Sequence, residues 1–255
     1  MNAPAPACRR FLGLDLAWSA RNPSGTAALD ETGRLIDLRA DLRSDTAIAA
    51  WVHAHLRDAA APEDAVAIGI DMPTIVRNAR GQRDCERDLR RVFGRYHAGP
   101  HPSSLERFQD GGRARALLDG LAAAGVVERV DLAPQERARV AFEVFPHPSL
   151  VRLFDLDRIF RYKKKSRPWP AVLAEWRRYR AALATLERAD PPLVLAGALP
   201  QGVVPRGYKA WDDKIDAVTC AYVAAFVWRW GMAAPHVRVF GDLAHGAIVV
   251  PDRPA

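Results

Sequence analysis

Residues 11–18 read FLGLDLAW, an alternating β-strand pattern that contains one acidic residue. Asp15 is predicted to share a face of the strand with Gly13, while the leucines form the opposite face. Leucines flank the acid on both sides, so the strand is expected to be buried. An ionised carboxylate is costly to bury alone, and Asp15 therefore needs a partner or a ligand.

The residues that follow predict more strands and a helix. GTAALD (25–30) and RLIDLRAD (34–41) are joined by a short glycine-containing loop, which favours a hairpin. A helix is expected at about 45–59. The apolar run AVAIGID (65–71) is typical of a strand inside a parallel sheet.

The rest of the chain alternates helices with further strands. An arginine-rich insertion spans about 74–139, and VAFEVFP (140–146) predicts a strand after it. Helices are predicted at 84–93 and at about 110–124, 148–155, 169–189 and 211–230, and VRVFGD and GAIVVP predict a terminal hairpin. This order predicts an α/β fold with an RNase H-like mixed sheet and flanking helices. The first three strands are expected to be antiparallel and the later strands parallel. Residues 1–9 are expected to be a disordered leader and 10–255 a single domain.

Composition constrains the cellular compartment and the possible partners of the protein. The three cysteines are scattered, without a CxxC pair, which argues against disulfides and zinc clusters and favours a reducing, cytoplasmic compartment. The longest apolar stretch, 215–230, is interrupted by Asp216 and Arg229, so no membrane span is expected. The net charge of +7 is compatible with a nucleic-acid partner, although the arginine- and alanine-rich composition also resembles a GC-rich coding bias.

Acidic residues in apolar surroundings are the candidates for chemistry. Asp71 ends AVAIGID, Glu143 lies within VAFEVFP, and Asp213 and Asp216 are three residues apart at the start of the last apolar helix. Together with Asp15 they place acids on three strands and one helix. Converging carboxylates suit hard cations such as Mg²⁺ or Mn²⁺.

Each acid also has a simpler interpretation. Asp71 can accept backbone hydrogen bonds at a strand end, and Glu143 can pair with an arginine of the insertion. Asp213 and Asp216 can interact favourably with the dipole at the N-terminus of the helix, and this is the only role expected of Asp212.

Several motifs together resemble a known family. FLGLDLAW, GIDMP, RDCERDLRRVFGRYHAGPHPS, FEVFPHPSLVRLF, the YKKK segment, DKIDAVTCAYVAAF and IVVP are similar, in order, to the domain-of-unknown-function family 429. Its members are described as predicted nucleases of RNase H-like fold. The resemblance implies that Asp15, Asp71 and Glu143 are the family's first, second and third acids. Asp213 and Asp216 resemble a pair in the final helix of Holliday-junction resolvases. The implied catalytic residues are Asp15, Asp71, Glu143 and Asp216, and the implied metal ligands are Asp15, Asp71, Asp213 and Asp216.

Basic residues near these motifs are candidates for substrate binding. Those selected are Arg83, Arg87, Arg91, Arg95, Lys163 and Lys165. Arginine forks suit phosphate oxygens. The alternative is a solvated helix face, with ion pairs to Asp84, Glu86 and Asp88, and an exposed loop around the lysines.

The expected function is phosphodiester hydrolysis of nucleic acid. Asp15 would bridge two Mg²⁺ ions, with Asp71 and Asp216 each holding one. Two alternatives remain open: phosphoryl transfer of the sugar-kinase type, and a non-catalytic module that binds nucleic acid.

Overall fold

A computed structural model of the chain describes residues 9–58, 64–108 and 112–252. The strands are Arg9–Asp15 (β1), Ser24–Leu29 (β2), Leu35–Leu42 (β3), Ala65–Asp71 (β4), Val127–Glu128 (β5), Arg139–Glu143 (β6), Val237–Asp242 (β7) and Gly246–Pro251 (β8). The α-helices are Asp45–Asp58 (α1), Asp84–Phe93 (α2), Arg113–Leu121 (α3), Pro146–Leu153 (α4), Trp169–Thr185 (α5) and Tyr208–Trp230 (α6).

Six of the strands form one mixed sheet in the order β3-β2-β1-β4-β6-β5. β1, β2 and β3 are antiparallel neighbours, whereas β4, β6 and β5 continue the sheet parallel to β1. β7 and β8 form a separate antiparallel hairpin. The predicted fold class is confirmed: the sheet is mixed, with antiparallel first strands and then parallel ones, and it is consistent with an RNase H-like fold.

Element boundaries differ from the predicted ones at a few points. β1 begins at Arg9, inside the predicted leader, and ends at Asp15 rather than at Trp18. The rest of that leader, 1–8, lies outside the described residues. α6 begins at Tyr208, three residues before the predicted start, and the two-residue strand β5 is too short to leave a pattern in the sequence.

The alternation of β1 divides the core between the two faces of the sheet. Phe11 packs on the face covered by α4, α5 and α6, and Leu12 and Leu14 pack on the face covered by α1 and α3. Helices therefore cover both faces. This arrangement matches the buried, alternating pattern of FLGLDLAW.

α6 lies directly on the backbone of the sheet because glycines remove the side chains beneath it. A β-carbon on Gly13 would overlap the carbonyl oxygen of Ala217, and one on Gly69 would lie 2.6 Å from the carbonyl oxygen of Cys220. Gly13 and Gly69 are partners in the parallel β1–β4 pair. This close packing fixes the start of α6 over the carboxyl ends of those two strands.

In the described ranges, no helix combines the length and the apolar character needed to cross a bilayer. α6 has 23 residues but buries Asp212, Asp213 and Asp216. The acidic residues of this apolar helix therefore lie inside the protein.

A candidate carboxylate site at the strand ends

Asp15 and Asp71 end two adjacent parallel strands and lie opposite each other in register. Side chains at paired positions of parallel strands point to the same face of the sheet. The antiparallel partner of Asp15 on the other side is Gly25, and a β-carbon there would overlap the backbone of Asp213 in α6. The structure therefore brings Asp15, Asp71 and the first turns of α6 to one edge of the sheet.

The charges at this edge act strongly on one another. Burial raises the pKa of Asp15 well above its ordinary value; Lys163 opposes this, while Asp216, Asp71 and Asp213 add to it. Burial and the repulsion of Asp216 also raise the pKa of Asp71 to about 7. Burial is thus the largest cause of both shifts, and the repulsion between the carboxylates adds to it.

Asp216 is the most firmly held of these acids. Its carboxylate accepts hydrogen bonds from the hydroxyls of Tyr162 at 2.5 Å and Tyr179 at 3.3 Å, and it pairs with Lys163 Nζ at 2.7 Å. Its side chain is 1% exposed. Lys163 is therefore a cation that the protein itself supplies to the cluster, and Asp216 positions it.

Asp212 and Asp213 lie beside Asp216 on α6, and both are buried. Lys209 pairs with each of them, but Asp212 Oδ1 and Asp213 Oδ2 accept no hydrogen bond from any described residue. Because α6 starts at Tyr208, Asp212 lies beyond the first turn, and a helix-terminus role does not account for its burial. Its spacing of four residues from Asp216 was the signal that it belongs to the same face.

Glu143 ends β6, but it lies opposite Ile70 rather than Asp71 in the parallel register, and it has its own partner. Arg83 Nη1 and Nη2 lie 2.7 and 2.6 Å from its two carboxylate oxygens, and the Thr74 backbone N–H donates to it at 3.2 Å. Arg83 also donates to Glu86 and to the carbonyl oxygen of Ile75, and it is 2% exposed. The structure thus places Glu143 in the arginine pair that was the alternative to catalysis.

This buried pair also changes the interpretation of Arg83. All three side-chain nitrogens of Arg83 donate to protein acceptors, so the guanidinium joins β6, α2 and the segment after β4. Arg83 is therefore buried and fully paired within the protein.

The remaining predicted arginines lie at the surface. Arg87 pairs with Asp84 and Arg91 with Asp88, each three residues apart on α2. The guanidinium of Arg95 stacks 4.6 Å from the ring centroid of Tyr96. These contacts are local and match the solvated-face alternative.

The two predicted lysines belong to the segment between α4 and α5. Lys165 is exposed and adopts a positive φ of 37°. Lys163 is the member of the predicted substrate-binding set that contacts the acids of α6. This segment therefore brings positive charge to the edge of the carboxylate cluster.

The cluster has the oxygen ligands that a divalent cation takes, although its side chains are not close enough together to coordinate one. In the part of the chain that the structure describes, no group of three acidic, histidine or cysteine side chains is placed to hold a metal ion. The donors are nevertheless carboxylates, and two buried oxygens in the cluster accept no hydrogen bond from a described residue. A metal ion entering here would share Asp216 with the Lys163 ammonium or displace it.

Asp71→Asn should stabilise the metal-free protein at pH 8 by on the order of 1–3 kcal/mol. The pKa of Asp71 rises from 3.8 to about 7 on folding, so the stability that its protonated form provides is complete below pH about 4. That stability is lost as the pH rises through about 7, and asparagine never acquires the charge. Thermal unfolding in EDTA at pH 5 and pH 8 measures the difference, with exposed Asp41→Asn as control. An unchanged or lower midpoint at pH 8 would contradict the repulsion inferred at this edge.

Comparisons with known proteins bear on the family. No curated protein and no solved structure matches the chain significantly. The sequence model of one family, described as "Protein of unknown function (DUF429)", matches residues 13–237. That match runs from the last three residues of β1 to the first residue of β7, and it includes every acid of the cluster. The chain belongs to the DUF429 family.

Proposed function

We propose that this protein is a divalent-metal-dependent nuclease that hydrolyses phosphodiester bonds of nucleic acid in the cytoplasm. The observation that carries the proposal is the convergence of Asp15, Asp71 and the α6 acids at one sheet edge, with buried carboxylate oxygens left without hydrogen-bond donors among the described residues. Mg²⁺ and Mn²⁺ take this kind of oxygen ligand.

The carboxylates divide into two groups by their contacts. Asp15 and Asp71 would hold the cation, because burial raises the pKa of each and the nearby carboxylates add to the rise. Asp213 would join them through Oδ2, which accepts no hydrogen bond from a described residue, although Lys209 pairs with its Oδ1. When bound, such a cation lowers the pKa of a water nucleophile and stabilises the leaving oxygen. Asp216 orients Lys163 through its 2.7 Å contact.

Lys163 would act on the phosphate side of the reaction. Its ammonium remains protonated, because the neighbouring acids more than offset the effect of burial and hold its pKa well above the ordinary value. A fixed positive charge beside the carboxylates can stabilise negative charge that develops on a phosphoryl group. Glu143 would contribute by holding the segment after β4 through Arg83 and Thr74.

Two further observations agree with a nucleic-acid enzyme of a reducing compartment. The net charge is +7, which favours encounter with polyanions. Cys85 and Cys220 are both buried as free thiols, so neither requires an oxidising environment.

The purified protein should cleave labelled nucleic acid only when Mg²⁺ or Mn²⁺ is present. The assay presents single-stranded DNA, single-stranded RNA, duplexes, a hybrid and a branched junction, each with metal, with EDTA, and with metal restored after EDTA. Cleavage that disappears with EDTA and returns with metal supports the proposal. Failure to cleave any of these substrates with either metal would overturn it.

A further inference from the structure

Trp18 is a large apolar side chain three residues after Asp15, in the segment that follows β1. It is 56% exposed. The guanidinium carbon of Arg107 lies 5.2 Å from its ring centroid, and the ring of Phe108 lies 5.2 Å away at 48°. A single exposed tryptophan is unremarkable in a protein surface. Here the ring has an arginine and a second aromatic ring beside it, and most of its own surface stays open.

The backbone leading to Trp18 is fixed, although β1 has ended. The Ala17 N–H donates to Ser24 Oγ at 3.0 Å, and the Ala17 carbonyl accepts from Arg113 Nη1 at 2.9 Å. Three residues of extended chain span about 10 Å at most. The Cα of Trp18 therefore lies within that distance of the Cα of Asp15.

Further basic side chains lie in the loop that carries Arg107. Arg90 Nη2 donates to the Pro100 carbonyl at 2.5 Å, in the loop that also carries His101. The pKa of His101 is lowered by burial and, in addition, by the charges of Lys165, Arg107 and Arg90. Arg107 is tied to the same loop, since its Nη1 donates to the Pro102 carbonyl at 2.9 Å. Lys165 in turn follows Lys163 by two residues. Cations therefore contact both features: Lys163 pairs with the acids of α6, and Arg107 lies over the ring of Trp18.

We propose that Trp18 and Arg107 form a stacking platform for an unpaired nucleobase, so that the nuclease acts on single-stranded nucleic acid. This inference rests on the proposed function for its substrate class. A base in a duplex has both faces stacked on neighbours, whereas an unpaired base offers a face to an aromatic ring or a guanidinium plane. The adjoining cations would take the phosphates of the same strand.

The test measures binding in EDTA, where the proposed hydrolysis cannot occur. The probes are a fluorescein-labelled 20-nucleotide oligo(dT) and the same strand annealed to oligo(dA). Because stacking on an aromatic side chain contributes about 1–3 kcal/mol per base, Trp18→Ala should weaken oligo(dT) binding between about 5- and 150-fold. Trp18→Phe should retain most of the affinity, and binding of the duplex should be the same for all variants.

Leu105→Ala provides the matched control, because Leu105 is a 40% exposed apolar residue two positions before Arg107 in the same loop as that arginine. Equal oligo(dT) binding by wild type and Trp18→Ala, or no binding by wild type, would overturn the platform. If Trp18→Ala weakens binding but the wild type never cleaves with metal, the platform stands and the nuclease proposal fails. If the wild type cleaves with metal while Trp18→Ala binds oligo(dT) normally, the nuclease proposal stands and the platform fails.

Discussion

Asp15→Asn should lower metal-dependent cleavage by about 10³-fold or more, because a metal-bound nucleophile and leaving group account for several kcal/mol of transition-state stabilisation. Asparagine keeps the shape of the side chain but removes the charge that attracts the cation. The same change should leave the protein folded and raise its stability in EDTA. Burial and three neighbouring carboxylates raise the pKa of Asp15, so the charged form is the unfavourable one.

This opposite movement of activity and stability separates a role in chemistry from a role in folding. Single-turnover cleavage and thermal unfolding are measured on the same preparations, with Asp41→Asn as the control. Asp41 lies on β3 with a 63% exposed side chain and pairs with Arg39, so its loss should change cleavage by less than about twofold. An Asp15→Asn protein that cleaves within tenfold of wild type would remove Asp15 from the reaction.

Much of the fold could be predicted because its central strands carry clear patterns. The alternation of 11–16 matches the two faces of β1, and the apolar run at 65–71 matches the bounds of β4. The start of α6 was misplaced because Tyr208 and Lys209 follow a Pro/Gly-rich stretch that reads as loop. The backbone hydrogen bonds of Ala17, next to Trp18, lie in a loop, and hydrophobic periodicity in the sequence does not predict loop hydrogen bonds.

The candidate site was partly predictable for a related reason. Asp15 and Asp71 stand out because each is an acid inside an apolar strand, and parallel strands place their carboxyl ends together. Long-range pairing could not be predicted: Lys163 meets Asp216 across 53 residues, and Arg83 meets Glu143 across 60. An arginine-rich segment does not indicate which of its arginines is buried.

Arg83→Met should cost about 3–5 kcal/mol of stability, because it leaves the buried Glu143 carboxylate without its counter-charge. For a domain of this size the thermal midpoint should fall by about 6–20 °C. Arg87→Met is the matched control on the same helix: Arg87 is 51% exposed and its ion pair with Asp84 is local. Its effect should stay within about 0.5 kcal/mol.

The pH dependence of this loss identifies its cause. Burial raises the pKa of Glu143, and Arg83 is the main group that opposes the rise. Without Arg83 the carboxyl should be protonated more readily, so the defect should shrink as the pH is lowered and grow as it is raised. Adding Glu143→Met to Arg83→Met should restore part of the stability, since no unpaired charge then remains on β6. Glu86 keeps its backbone donors at positions 83 and 103 in both variants. A defect of equal size at every pH, unchanged in the double variant, would mean that packing rather than charge makes Arg83 important.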